Sequence, residues 1–379
     1  MALSVPLPVV RGRGAAWNPP NRFERLHLDR EGWNDPDDPA PETQLLNDAT
    51  RSILSRNDSP DVGFGVSVNP YRGCAHGCAY CYARPTHEYL GFSAGLDFET
   101  RILVKREAPT LLREALASPG WTPEPIMFSG NTDAYQPAER RLRITRRCLE
   151  VLAEFRNPVA ITTKSYLVTR DLDILQELAR VDAAAVSVSV TTLRNEIQRT
   201  LEPRASTPAR RLGAIRVLAD AGIPVGVSVA PVIPGLTDHE LPGILEAAAD
   251  AGARFASLIF LRLPHGVKEL FETWLTQHVP DRRDKVLNRL RELRGGKLYD
   301  ARYAVRGRGE GPWAEQLQAL FRLTRDRLGL DRPAELSTES FRRADVAPTA
   351  PPGQLDLFDQ PTPVRKRGSS HKERSSGRR

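Results

Sequence analysis

Three of the chain's four cysteines, Cys74, Cys78 and Cys81, fall within eight residues. They stand as C-x3-C-x2-C in Gly73-Cys74-Ala75-His76-Gly77-Cys78-Ala79-Tyr80-Cys81-Tyr82. Three thiolates on one tight loop can each ligate an iron of a cubane cluster, leaving the fourth iron open to a small molecule. Gly73 and Gly77 would let the backbone wrap closely around such a cluster. A structural zinc loop is the competing reading. Zinc sites usually pair C-x2-C units or add histidines, and they need a fourth ligand. His76 could serve as that ligand but reads better as a loop residue, and Cys148 reads as part of a helical core stripe.

Those cysteines need a scaffold, and the rest of the sequence describes one. GVSVNPYRG reads as a strand entering the cysteine loop. PIMFSGN, PVAITTKS, AAAVSVSV, IPVGVSVAP and ARFASLIFLRL are further apolar strand segments. Helical segments separate them: residues 138–156, DLDILQELARV, TPARRLGAIRVLADAG and TDHELPGILEAAADAG. Apolar strands alternating with helices mean a parallel sheet with helical crossovers. Polar residues close these strands at their C-terminal ends, where barrel enzymes carry their chemistry. They are Ser129-Gly130-Asn131, Lys164 and Ser189, with Asp133 close behind. The fold class is therefore α/β, a barrel or partial barrel, with an open doubly wound sheet as the alternative on periodicity alone.

Around this core, residues 1–60 read as an extended N-terminal arm with a short helix over 43–55. Residues 61–264 form the barrel, 265–344 a helical extension, and 345–379 a disordered basic tail. The formal net charge is +7, and the stretch from 361 onward carries +6 of it. The body is close to neutral, so its composition is weak evidence for nucleic-acid binding there, whereas the tail suits polyanions. No apolar run reaches the length of a membrane span, and no signal peptide is evident at the N-terminus. The expected location is cytoplasmic and the expected state a monomer.

The C-x3-C-x-aromatic-C loop resembles that of the radical S-adenosylmethionine (SAM) superfamily. The stretches NPYRGCAHGCAYCYARPTHEYLGF and RGRGAAWNPPNRFE are similar to its spore-photoproduct-lyase-like branch, and the resemblance spans roughly 60–300. It implies a partial (β/α)6 barrel, a [4Fe–4S] cluster, SAM at the open iron and a reductant of flavodoxin or ferredoxin type. Reductive cleavage would give methionine and a 5′-deoxyadenosyl radical that abstracts a substrate hydrogen. The protein's part would be to position and shield.

Carried onto this chain, the resemblance puts Ser129, Gly130 and Asn131 near the methionyl amino group. Lys164 would meet the carboxylate, Ser189 the ribose and Tyr80 the adenine. VAPVIPGLTD would form the adenine wall, and Arg204 of the LEPR motif would clamp the carboxylate. Tyr80 and Tyr82 are candidate radical relays, with stacking and packing as the alternative. One departure stands out. Spore photoproduct lyase uses a cysteine hydrogen donor beside the second-strand serine, and this chain has Phe128 there. Thymine-dimer repair by that route is therefore not expected.

Finally, Gln354-Leu355-Asp356-Leu357-Phe358 is an apolar island in a Pro-rich segment. It resembles the bacterial sliding-clamp-binding pentamer, in which leucine and phenylalanine fill a pocket. Docking back on the parent domain is the alternative. Three functions stay open: a radical SAM enzyme acting on DNA, one acting on RNA, protein or a small molecule, and a non-catalytic Fe–S electron carrier or regulator.

Overall fold

The computed structural model describes residues 8–24 and 41–343. Among these, ten strands run in chain order as β1 (Gln44–Asn47), β2 (Leu54–Arg56), β3 (Val66–Val68), β4 (Tyr71–Arg72), β5 (Arg101–Val104), β6 (Ile126–Phe128), β7 (Val159–Thr163), β8 (Ala184–Ser189), β9 (Val225–Val232) and β10 (Phe255–Phe260). The main sheet has the order β10-β9-β8-β7-β6-β3-β2. Every neighbouring pair in it is parallel except β2 with β3. A smaller sheet has the order β1-β5-β4. The fold is thus mixed α/β, with a parallel run from β3 to β10 that matches the alternation in the sequence.

The crossover helices are Ile144–Phe155, Leu172–Ala179, Pro208–Asp220 and Leu241–Asp250. In the first, Ile144, Cys148, Leu149, Leu152 and Phe155 are fully buried, a stripe at helical spacing. Cys148 sits there as an ordinary core side chain. Truncating Leu152 to Ala would cost about 2–5 kcal/mol through lost burial and the cavity left behind. One face of the parallel strands is apolar and fully buried. Val186, Val188, Val225 and Val227 are fully buried.

Register then aligns a row of small polar residues across neighbouring strands. Thr162 lies opposite Ser187, Ser189 opposite Ser228, and Ser228 opposite Ser257. These small hydroxyl side chains leave room above the C-terminal edge of the sheet.

The helix expected over 43–55 does not form. Residues 44–47 pair in parallel with β5, and residues 54–56 pair antiparallel with β3. Asp48 interrupts the segment by accepting the Thr50 N–H at 2.9 Å, a local turn that competes with a helix. The arm therefore supplies a strand to each sheet. The described residues belong to one compact unit. The tail from Asp345, with the Gln354–Phe358 pentamer, lies outside the described residues. No helix among the described residues is long and apolar enough to cross a membrane.

Candidate active site

The cysteine loop is gripped from behind. The Cys74 N–H donates to Phe98 O at 2.9 Å, Ala75 N–H to Gln136 Oε1 at 2.9 Å, and Ala79 N–H to Leu201 O at 3.0 Å. Gly73 and Gly77 have φ of 78° and 68°, the left-handed region that glycine adopts at low cost. A Cβ on Gly77 would lie 2.6 Å from Glu99 Oε2, so a side chain has no room there.

Glu99 is the keystone of this wall. It is fully buried, pairs with the fully buried Arg84, and accepts the N–H groups of Gly14 and Ala15 at 3.1 and 2.8 Å. Arg84 in turn donates Nε and Nη2 to Cys78 O at 3.0 and 2.8 Å. The RGRG segment is thereby pressed onto the loop. A Cβ on Gly14 would fall 1.8 Å from Gly77 O.

A second latch sits beside Tyr80. Its hydroxyl donates to Glu202, which also accepts Thr191 Oγ1 at 2.7 Å and forms an ion pair with Arg211. Arg211 additionally donates to Ser189 O at 3.1 Å and Ser206 O at 2.7 Å, tying the loop to the end of β8. Burial alone would raise the Glu202 carboxyl, but Arg211 and Lys164 outweigh it and hold it down to about 2. Burial, then the Glu202 charge, pushes the Tyr80 hydroxyl well above its ordinary range. Behind Cys78, Ala79 and Tyr80 pack Leu261, Leu263, Phe271 and Trp274, so the helix Val267–His278 closes the loop's rear.

In front lies one cavity of about 720 Å³. Cys74, Cys78 and Cys81 open onto it, as do Tyr80 and Tyr82. From the strand ends come Ser129, Gly130, Asn131, Lys164 and Ser189. Ser129 has φ 72°, an unusual conformation for a non-glycine residue, stabilised where its Oγ accepts the Ala134 N–H at 2.9 Å. Gly130 O accepts the Tyr82 hydroxyl at 2.7 Å. The Lys164 ammonium donates to Ala230 O at 3.3 Å and stands 6.0 Å from the Tyr80 ring centre. Ala230 and Pro231 of the VAPVIPGLTD stretch also line the cavity. Phe128 is fully buried in β6 and does not line it.

Arg204 is not brought in. Its side chain is exposed and donates to Thr43 Oγ1 at 2.9 Å. Of the LEPR motif it is Glu202 that turns inward, because Arg211 waits there as a buried partner.

His76, within the loop, also belongs to the cavity wall. It is 2% exposed, lines the cavity and places Nδ1 3.3 Å from Asp133 Oδ2. Burial would lower its pKa, but Asp133 and Cys74 raise it to about 9. Asp133, against the opposing effect of burial, is held down to about 2 by His76 and by the donors Lys164 N and Thr163 Oγ1. The signal for Asp133 lay in its place just past a strand end; nothing in the sequence pointed to the His76 pairing.

The donor set fits an iron–sulfur cube. Among the described residues no three His, Cys, Asp or Glu side chains gather tightly enough to hold a single metal ion. A cube asks for something wider, one thiolate on each of three irons. Three cysteines on one wrapped loop, facing a cavity large enough for a further small molecule, meet that requirement.

Comparison with known proteins agrees. The family model of the radical SAM superfamily matches residues 68–248. An uncharacterised protein of Mycobacterium tuberculosis is 39% identical over 232 residues, covering 61% of this chain and 67% of that protein. An uncharacterised protein of Methanocaldococcus jannaschii is 27% identical over 184 residues, 48% of this chain and 66% of that one. Among solved structures, a spore photoproduct lyase mutant superposes with TM-score 0.55 at 17% identity, covering 75% of this chain and 79% of that one. Another, with bound AdoMet and dinucleoside spore photoproduct, gives 0.55 at 18%, covering 75% and 78%. At these identities the structural likeness speaks for the fold. Together with the wrapped three-cysteine loop, the family match establishes that this chain belongs to the radical SAM superfamily, enzymes that use a [4Fe–4S] cluster and SAM.

Proposed function

We propose that Cys74, Cys78 and Cys81 each hold one iron of the cluster, and that SAM lies between this loop and the ends of β6 to β9. The observation that carries the reading is the single cavity onto which all three cysteines, Ser129–Asn131, Lys164 and Ser189 open. We read the parallel run β3 to β10 as a partial (β/α)6 barrel with this cavity at its mouth. When bound, the cluster and SAM supply reductive cleavage to methionine and a 5′-deoxyadenosyl radical that takes a substrate hydrogen.

The chain's own residues do the rest. The Lys164 ammonium meets the methionyl carboxylate as a point charge. The positive φ at Ser129 turns the Gly130–Asn131 backbone toward the amino group. Ser189 approaches the ribose, and Ala230 and Pro231 give a flat wall for the adenine. Tyr80, locked by Glu202, serves as a rigid aromatic face; a tyrosyl radical there would have to shed its proton to Glu202, whereas Tyr82 reaches solvent at 43% exposure. Arg204 has no part in this arrangement. With Phe128 in place of a thiol and Cys148 in the core, the hydrogen donor of spore photoproduct lyase has no counterpart in the cavity.

Reduced, cluster-reconstituted protein should release 5′-deoxyadenosine from SAM. Full cluster occupancy with SAM bound and no 5′-deoxyadenosine under strong reductant would leave only an Fe–S carrier or regulator.

We further propose that the pentamer Gln354–Phe358 docks on a bacterial sliding clamp, directing a cytoplasmic enzyme to DNA repair or maintenance. The motif and the basic run after it support this. Two buried apolar anchors give a micromolar peptide complex. A peptide of residues 350–362 should compete for the clamp pocket, and its Leu357→Ala, Phe358→Ala form should not. Failure of the wild-type peptide to bind at high micromolar concentration would return the tail to docking on its own domain.

A further inference from the structure

The cavity has a second end that the proposed SAM contacts leave unused. Beyond Tyr82 it is lined by Arg262, Arg306 and Arg56, with Phe64 and Ile259 as apolar walls. Two of these cations are already neutralised. Arg306 pairs with Asp61, and Arg56 lies 3.4 Å from Glu124. Arg262 is not. It forms no ion pair of its own among the described residues: the acid it acts on, Asp61, is already paired with Arg306, and its Nε is buried with no hydrogen-bond partner. Its guanidinium instead lies over the Tyr82 ring, 4.9 Å from the centre.

Behind it stands Arg294, 1% exposed. Arg294 donates to Leu261 O and, at 3.2 Å, to Arg306 O, while its Nε and Nη1 have no partner. Asp300, the nearby acid, is taken by Arg302. Arg262 thus lines this part of the cavity without an ion pair of its own, and the buried Arg294 adds its charge behind it. A buried uncompensated cation is costly, and an anion placed beside it recovers that cost. A planar fork of N–H donors fits two oxygens of one oxyanion, and the ring beneath holds its plane.

We infer that Arg262, seated on Tyr82, is the recognition site for a phosphate group of the substrate, and that the substrate is a ring-bearing phosphate ester of nucleotide type. A phosphate supplies the charge that the Arg262 guanidinium, with Arg294 buried behind it, calls for. Phe64, Ile259 and Tyr82 supply faces on which a planar base can rest. Tyr82 directly follows Cys81, so a group anchored on it stands next to the cysteine loop. This rests on the radical SAM reading of the same cavity.

The test uses cluster-reconstituted, SAM-loaded protein titrated with thymidine 5′-monophosphate, a single-stranded hexadeoxynucleotide, and thymidine. Both phosphate-bearing probes should bind more tightly than thymidine, and the tighter of the two identifies free nucleotide or strand as the source. Arg262→Gln should weaken both on the order of tenfold or more, leaving thymidine binding, SAM affinity and iron content as they were. Arg262→Lys keeps the charge without the fork and should fall between, which preserves the test if the Gln variant melts early. Equal binding of thymidine and the phosphate probes overturns the inference. So does a loss of SAM affinity in Arg262→Gln, which would give this arginine to the SAM carboxylate. Failure of the wild type to hold iron or SAM brings down the underlying reading, and this inference with it.

Discussion

The two sides of the cysteine loop are built to opposite rules. The rear is buried and densely paired: Arg84 with Glu99 and Arg211 with Glu202 are buried ion pairs that also bond to backbone and, at Glu202, to the hydroxyls of Tyr80 and Thr191. The front is open and only partly paired, with Arg262 lacking an ion pair of its own, Tyr82 exposed and small hydroxyl side chains lining the cavity. A site that must hold a cluster in one geometry while admitting another molecule needs both. Rigidity comes from over-determined contacts behind, and affinity is left available in front.

Substitutions on the rear should therefore be the most damaging. Glu99→Ala strands the fully buried Arg84 and two backbone N–H groups, and should cost on the order of 3–5 kcal/mol. Glu202→Ala should cost a similar amount. Arg204→Ala, two residues further on but exposed, should stay within about 0.5 kcal/mol. Thermal unfolding of the three variants checks this, and equal effects at 202 and 204 would break the contrast.

On the front, Lys164→Ala and Ser189→Ala should leave the melting temperature and iron content nearly unchanged while weakening SAM binding. Loss of one charge-assisted contact at Lys164 corresponds to roughly tenfold or more. Ser189, a neutral partner, should lose less. Unaltered SAM affinity in both would mean that SAM lies elsewhere in the cavity.

The sequence made some of this architecture readable and hid the rest. The cysteine spacing and the apolar strands are local signals, and both are where they were expected. The strands at 44–47 and 54–56 were not readable, because their partners, β5 and β3, decide them and not their own composition. The same holds for the LEPR motif. Nothing local says that Glu202 turns inward and Arg204 outward; Arg211, on the following helix, settles it. His76 and Arg262 gain their meaning from Asp133 and Tyr82, far away in the chain.

If the three loop cysteines hold the cluster, its presence must depend on each of them. Iron and sulfide content after anaerobic reconstitution tests it most directly. The wild type and Cys148→Ala should each bind about four irons and four sulfides, and Cys74→Ala, Cys78→Ala and Cys81→Ala should each lose the cluster. A full complement of iron in any of these three variants, or a zinc ion alone in the wild type, would contradict it.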